Sequence, residues 1–263
     1  MPAAVLEKSF LKKEERFRSV RKHPSRTPAA AMKLRLAVCL VLLGLPSIAH
    51  AQSEVTNQRL FDITPFLPEL YARRVAQFEQ EPVVTGRVIF LGNSITQGGK
   101  WDQLLGDDTV INRGIGGDIT FGVLDRLEDV IRRKPSKLFI MIGINDIGKD
   151  IPDEVIADNY RKIIQQVQAG SPETVIYVQS LLPLNPAYPR FPQHYDKEDH
   201  VLRVNRMLRG VAGATDTHFI NLFPLFLNAQ ERLDEQYTGD GLHLNDLGYQ
   251  VWVDYLKQTG YLP

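Results

Sequence analysis

An α/β fold built on a mainly parallel sheet is what this amino-acid sequence predicts, and three observations carry the prediction. Short apolar runs rich in Val, Ile and Phe recur along the chain, and most of them stop at Gly, Asn or Ser. Between them lie amphipathic stretches of roughly 10 to 18 residues, the alternation expected of βαβ units whose sheet is covered on both faces. After Ala51 there is no internal repeat, linker or low-complexity segment, so residues 52–263 read as one domain.

Taken in order, the elements begin with a helix whose apolar face carries Phe66, Leu67, Leu70, Tyr71, Val75 and Phe78. The first strand runs from Arg87 to Leu91. A second, Thr109 to Asn112, leads into Arg113-Gly114-Ile115-Gly116-Gly117-Asp118. The stretch Ile119 to Arg132 then places Phe121, Leu124, Leu127, Val130 and Ile131 on one helical face. A third strand, Leu138 to Ile142, stops at Gly143-Ile144-Asn145-Asp146 before a helix from about Pro152 to Ala169. Val175 to Val178 forms the fourth strand. The passage Leu181 to Asp199 carries Pro183, Pro186, Pro189 and Pro192, which excludes regular helix and central strand. A helix at Val201 to Val211, a short strand at His218 to Leu222 and a helix at Asn245 to Thr259 complete the chain.

The charges are unevenly spread. Residues 1–51 hold ten Lys or Arg and three Glu, a net of +7; against chain totals of 31 and 31, the remainder holds 21 basic and 28 acidic groups, a net of −7. An acidic globular part argues against a nucleic-acid partner. From Met32 the head has the layout of a secretory signal peptide: Lys33 and Arg35, an apolar run from Leu36 to Leu45, then Ala49-His50-Ala51, with cleavage expected after Ala51. The run is too short to stay in a bilayer as a spanning helix. Thirty-one polar, basic residues do not belong before a signal peptide, so translation is expected to start at Met32, with residues 1–31 a disordered or absent leader. The single cysteine, Cys39, falls inside the expected signal segment, and the mature chain would contain no thiol for a disulfide, a thiolate metal site or a nucleophile.

Two glycine-rich stretches fail as nucleotide sites. From Gly92 to Lys100, five residues rather than four separate the glycines Gly92 and Gly98, and Trp101 stands where a magnesium-binding Ser or Thr should follow the lysine. Gly114-Ile115-Gly116 starts a dinucleotide fingerprint, but Ile119 occupies its third glycine position. Nor does Gly92-Asn93-Ser94-Ile95-Thr96 match a nucleophile elbow, which needs glycine two residues after the serine.

Ser94 nonetheless stands at the carboxyl end of a buried strand, where parallel α/β sheets place their chemistry. A hydroxyl there needs a base. The mature chain offers His194, His200, His218 and His243. In Thr238-Gly239-Asp240-Gly241-Leu242-His243 a carboxylate lies three residues before the imidazole, a spacing that lets Asp240 hold one ring nitrogen while the other faces serine. His194 and His200, in the Pro-rich passage, read as exposed or rim residues; His218, at a strand start, reads as satisfying a local hydrogen bond. Acyl transfer also needs donors for the developing oxyanion, and the Ser94 N–H, Gly117 and the Asn145 amide all fall at predicted strand ends.

These residues carry a resemblance. Gly92-Asn93-Ser94, Asn112 to Asp118, Gly143-Ile144-Asn145-Asp146 and Asp240-Gly241-Leu242-His243 resemble the four sequence blocks of the SGNH, or GDSL-like, hydrolases, in order over about residues 87–258. The resemblance implies a flavodoxin-like three-layer α/β/α sandwich with a central, mainly parallel five-stranded sheet. It also implies ester hydrolysis through an acyl-serine, with no metal or other cofactor. Position by position it makes Ser94 the nucleophile, His243 the base, Asp240 its orienting carboxylate, and Gly117, Asn145 and the Ser94 amide the oxyanion donors. Asn93 stands where the family usually has Asp, which implies altered local hydrogen bonding with activity retained.

The motifs around Ser94 and Asn112 look most like the branch containing platelet-activating-factor acetylhydrolase-like proteins and bacterial carbohydrate O-acetylesterases. The expectation is an exported, periplasmic or extracellular esterase removing short acyl groups, acetyl first, from a small-molecule or glycan ester, without stable membrane insertion. A lysophospholipase or thioesterase taking longer chains is the alternative within the enzymes, and a catalytically silent carbohydrate-binding protein the alternative outside them. Tyr188, Phe191 and Tyr195 of the Pro-rich passage are candidates for a pocket wall.

Overall fold

The computed structural model describes residues 61–263. The leader expected at residues 1–31, the signal peptide expected at 32–51 and its cleavage site after Ala51, and Cys39 with them, lie outside the described residues. Five parallel strands form one sheet in the order β2-β1-β3-β4-β5, namely β1 (Val88–Gly92), β2 (Ile111–Gly114), β3 (Lys137–Met141), β4 (Val175–Gln179) and β5 (His218–Ile220). The flavodoxin-like α/β/α expectation therefore holds, and the sheet is parallel throughout. Strand order reverses beside β1, so the crevice beyond its carboxyl end is where such a sheet leaves room for a ligand.

The apolar runs are strands because they are buried on both faces: Ile89, Phe90, Leu91, Leu138, Phe139 and Ile140 are all fully enclosed. In-register neighbours Phe90, Phe139, Tyr177 and His218 form a ladder of stacked rings across four strands, with centroid spacings of 4.9, 4.6 and 5.1 Å. Trp101 of α3 (Trp101–Leu105) stacks on Phe90 at 3.9 Å, and Trp252 of α9 (Asp246–Gln258) meets the same ring edge-on. The opposite face is covered by α4 (Thr120–Asp125), α5 (Leu127–Arg132), α7 (Asp153–Gly170) and α8 (Glu198–Ala214), which pack on one another. His218 thus ends an aromatic stack, where a local hydrogen bond was expected.

At the β2 edge, α1 (Pro68–Gln80) is anchored by arginines. Arg113 of β2 bonds Glu81 at 2.6 Å and Asp129 at 2.7 Å, and its guanidinium lies 4.3 Å from the centre of the Phe78 ring. Burial opposes ionisation of Asp129, but Arg132, Arg113 and Arg133 outweigh it and hold its carboxyl below the ordinary value.

One helix differs from its sequence reading. The stretch Ile119 to Arg132 is two short helices broken at Arg126, whose φ of −109° and ψ of 11° leave the helical region. The apolar period continues through the break, so periodicity could not reveal it. Its cause is the Arg126 side chain, drawn inward to Asp118 and to the carbonyl of Gly92.

Candidate active site

The serine is presented by a tight turn. After β1, Asn93 caps the four-residue helix α2 (Ser94–Gln97) by accepting the Ile95 N–H on Oδ1 at 3.0 Å, and Ser94 is the first residue of that helix. An aspartate would make the same cap; here the Asn93 Nδ2 is buried with no hydrogen-bond partner among the described residues.

The chain returns to this turn 149 residues later, where Ser94 Oγ lies 2.8 Å from His243 Nε2. His243 Nδ1 lies 2.8 Å from Asp240 Oδ2, while Asp240 Oδ1 accepts the backbone N–H groups of Leu242 at 3.0 Å and His243 at 2.8 Å. An ionised Asp240 can only accept, which places the imidazole proton on Nδ1 and leaves Nε2 to take the serine proton. Burial pushes the Asp240 carboxyl up, but the His243 backbone and ring and the Leu242 N–H outweigh it, so the group sits below its ordinary value. It stays a carboxylate at neutral pH.

Local sequence makes this turn. Gly241 has φ +79°, a region unfavourable to any residue with a Cβ, and a Cβ there would come within 2.3 Å of the Asn185 carbonyl oxygen. Asn185 donates its own N–H to the Gly241 carbonyl at 2.9 Å, and Tyr195 donates its hydroxyl to the Asp240 carbonyl at 2.8 Å. The Pro-rich passage therefore wraps the acid–base turn, and the Phe191 ring stands edge-on to His243 at 5.2 Å.

The two other sequence-read residues are joined through Asp118. Gly117 follows β2 in a turn with φ +75°, and its carbonyl accepts the Phe66 N–H at 2.9 Å. Asn145 is the second residue of α6 (Ile144–Gly148), and its Nδ2 donates to the Asp118 carbonyl, one residue beyond Gly117, at 2.9 Å. A serine–imidazole–carboxylate chain is an arrangement suited to acyl transfer, with a base set against a hydroxyl.

The structure corrects the reading of His194. It is 2 % exposed, and its Nε2 lies 3.0 Å from Asn145 Oδ1. Burial lowers its pKa to about 4, with Lys197 and His243 adding to the shift, so it is uncharged at neutral pH. His200 is half exposed and pairs with Asp153, in keeping with a rim position. Phe66 and Leu67, read from the sequence as part of the first helix's apolar face, precede that helix, which starts at Pro68, and close over Gly117, where a Cβ would stand 3.0 Å from Phe66 Cβ and 3.0 Å from the Leu67 nitrogen. Only the chain reversal that brings the start of α1 to β2 places them there.

Among the described residues, no group of three or more His, Cys, Asp or Glu side chains is placed to hold a metal ion, and no helix is long and apolar enough to cross a membrane.

The sequence pattern of the GDSL-like lipase/acylhydrolase family matches residues 90–251, a span that includes Ser94, Gly117, Asn145, Asp240 and His243. The chain belongs to this family. A GDSL acylhydrolase is an ester hydrolase, and similarity to known proteins agrees. Platelet-activating factor acetylhydrolase IB subunit alpha1 of Bos taurus is 30% identical over 169 residues, 62% of this chain and 69% of that one. An arylesterase of Vibrio mimicus is 28% identical over 173 residues, 60% of this chain and 79% of that one. Among solved structures, a Streptococcus pneumonia protein described as a platelet activating factor superposes with a TM-score of 0.66 at 29% identity, covering 81% of this GDSL hydrolase and 99% of that chain.

Proposed function

We propose that this GDSL hydrolase is an exported serine esterase that removes short acyl groups, acetyl foremost, from carbohydrate esters. In this reading Ser94 Oγ attacks the ester carbonyl as His243 Nε2 takes its proton. Asp240 stabilises the imidazolium, and the backbone N–H groups of Ser94 and Gly117 and the Asn145 amide receive the oxyanion. His243 then returns the proton to the leaving alcohol, and water repeats the sequence to release the acid. The single observation that carries the assignment is the unbroken 2.8 Å and 2.8 Å path from Ser94 through His243 to Asp240.

Support for a short acyl group comes from the Bos taurus relative, which is named for acetyl hydrolysis. A carbohydrate alcohol and export rest on the motif resemblance and on the signal-peptide layout of residues 32–51.

The test is incubation of the purified protein with a fluorophosphonate probe and with nitrophenyl acetate, nitrophenyl octanoate and a panel of acetylated sugars. Labelling that vanishes in Ser94→Ala, with acetate cleaved faster than octanoate and acetate released from sugars, is the expected result. An unlabelled wild type would overturn the serine mechanism, and faster octanoate cleavage would overturn the short-chain preference.

A further inference from the structure

The neutral, buried imidazole of His194 has no place in the proton path from Ser94 to Asp240, yet it is built into the site as firmly as the triad. It rides on the one-turn 3₁₀ helix Pro192–His194, between the rings of Phe66 and Phe191 at centroid distances of 5.6 and 6.2 Å. Its edge lies flush on the backbone of α6 at Gly148, where an added Cβ would stand only 2.8 Å from Nε2.

We infer that His194 is a positioning residue for the oxyanion pocket: its Nε2–H, donated to Asn145 Oδ1, locks the amide so that Nδ2 is turned toward the reacting carbonyl. The inference rests on the oxyanion role given to Asn145 above. A primary amide has two nearly isosteric orientations, and only its partners choose between them. Here both partners choose the same one. The Asp118 carbonyl at 2.9 Å demands the NH₂ group, and an Nε2–H at 3.0 Å demands the oxygen. Reversal would set two acceptors against each other at Asp118 and two donors at His194. One Nδ2 hydrogen is taken by Asp118, and the other is left for substrate.

The same geometry selects the tautomer of His194. Nδ1 is buried with no partner among the described residues. A proton there would be an orphaned donor, and the bare Nε2 would face the lone pairs of Oδ1. With the proton on Nε2 only an acceptor goes unused, the cheaper arrangement. His194 touches Asn145 and not Ser94, so its effect falls on transition-state stabilisation and leaves substrate binding nearly alone.

Five variants, Asn145→Ala among them as the reference, test this when measured with nitrophenyl acetate. His194→Phe keeps the ring volume and removes the donor, and Gly148→Ala pushes the imidazole off Asn145 without altering either partner. Each should lower kcat about tenfold, short of the ~100- to 1,000-fold cost of deleting an oxyanion donor. KM should stay within about twofold. His194→Gln, which can still donate, should recover part of the loss. Adding His194→Phe to Asn145→Ala should change kcat by less than about twofold, because the group it positions is gone. Wild-type kcat in His194→Phe and Gly148→Ala, or an equal loss with and without Asn145, would overturn the inference. Should His194→Phe fail to fold, Gly148→Ala and the wild-type imidazole ¹⁵N shifts decide: an Nε2–H tautomer between pH 6 and 8 supports the role, and Nδ1–H sinks it. Failure of the active-site reading would look different, as a wild type that no fluorophosphonate labels.

Discussion

Arg126 Nε donates to Asp118 Oδ2 at 2.9 Å, and Arg126 Nη2 donates to the Gly92 carbonyl at 3.1 Å. One guanidinium thus ties the turn whose carbonyl holds Asn145 to the strand end that presents Ser94. Asp118 is fully buried, and burial pushes its carboxyl up to about 6 even beside the arginine. Arg126→Met would strand that carboxyl without its partner, an omission that costs about 3–5 kcal/mol for buried pairs. In a chain of this size the melting temperature should fall by roughly 6–20 °C. Calorimetry at neutral pH checks it; a change of a degree or two would mean that the pair holds neither turn.

The triad geometry sets an order of severity. His243→Ala should lower kcat by about four to six orders of magnitude, and Asp240→Asn by about four, because the amide favours the wrong imidazole tautomer. Combining the two should cost little more than His243→Ala alone. Steady-state kinetics on the single and double variants measure this, and additive losses would show that the two side chains act separately.

Stability should carry a signature of Asp146. It is fully buried, receives the Thr120 N–H and hydroxyl, and is pushed up to about 7 by burial. The folded chain therefore keeps a proton that the unfolded chain has already lost above its ordinary value of 3.8. Such a group favours the fold at acid pH and loses that contribution as pH rises through about 7. Asp146→Asn mimics the protonated acid at every pH. Urea midpoints at pH 5 and pH 8 should move in the variant's favour at the higher pH, whereas a gap that does not change with pH would refute the assignment.

Gly241→Ala should damage both folding and turnover. The left-handed backbone costs about 1–3 kcal/mol for a residue with a Cβ, and the 2.3 Å approach to the Asn185 oxygen forces the acid–base turn to move. Gly239→Ala is the control two residues away, since a Cβ there meets nothing within 4 Å. Melting temperature and kcat should both drop in the first variant and hold in the second.

Much of this could be read from residue order. Strand ends at Gly92, Gly114 and Gln179 lie within two residues of where the apolar runs placed them, because burial on both faces writes a continuous hydrophobic run. The turn from Asp240 to His243 was legible because its partners are three residues apart. What escaped depends on contacts between distant segments. Nothing near His194 announces that Phe66, over a hundred residues earlier, will bury it. The break at Arg126 also leaves the apolar period of its helix untouched, since a polar side chain pulled inward from elsewhere makes it.

The separation of 149 residues between Ser94 and His243 also orders events during synthesis. The strands β1 to β4 are complete by Gln179, well before the ribosome reaches the turn that begins at Thr238. In the proposed mechanism Ser94 is an ordinary alcohol until that last turn docks beside the Pro-rich passage. Reactivity then begins only when the final segment closes on the first strand, and recovery of esterase activity in a refolding experiment would time the most non-local step of folding rather than the collapse of the sheet.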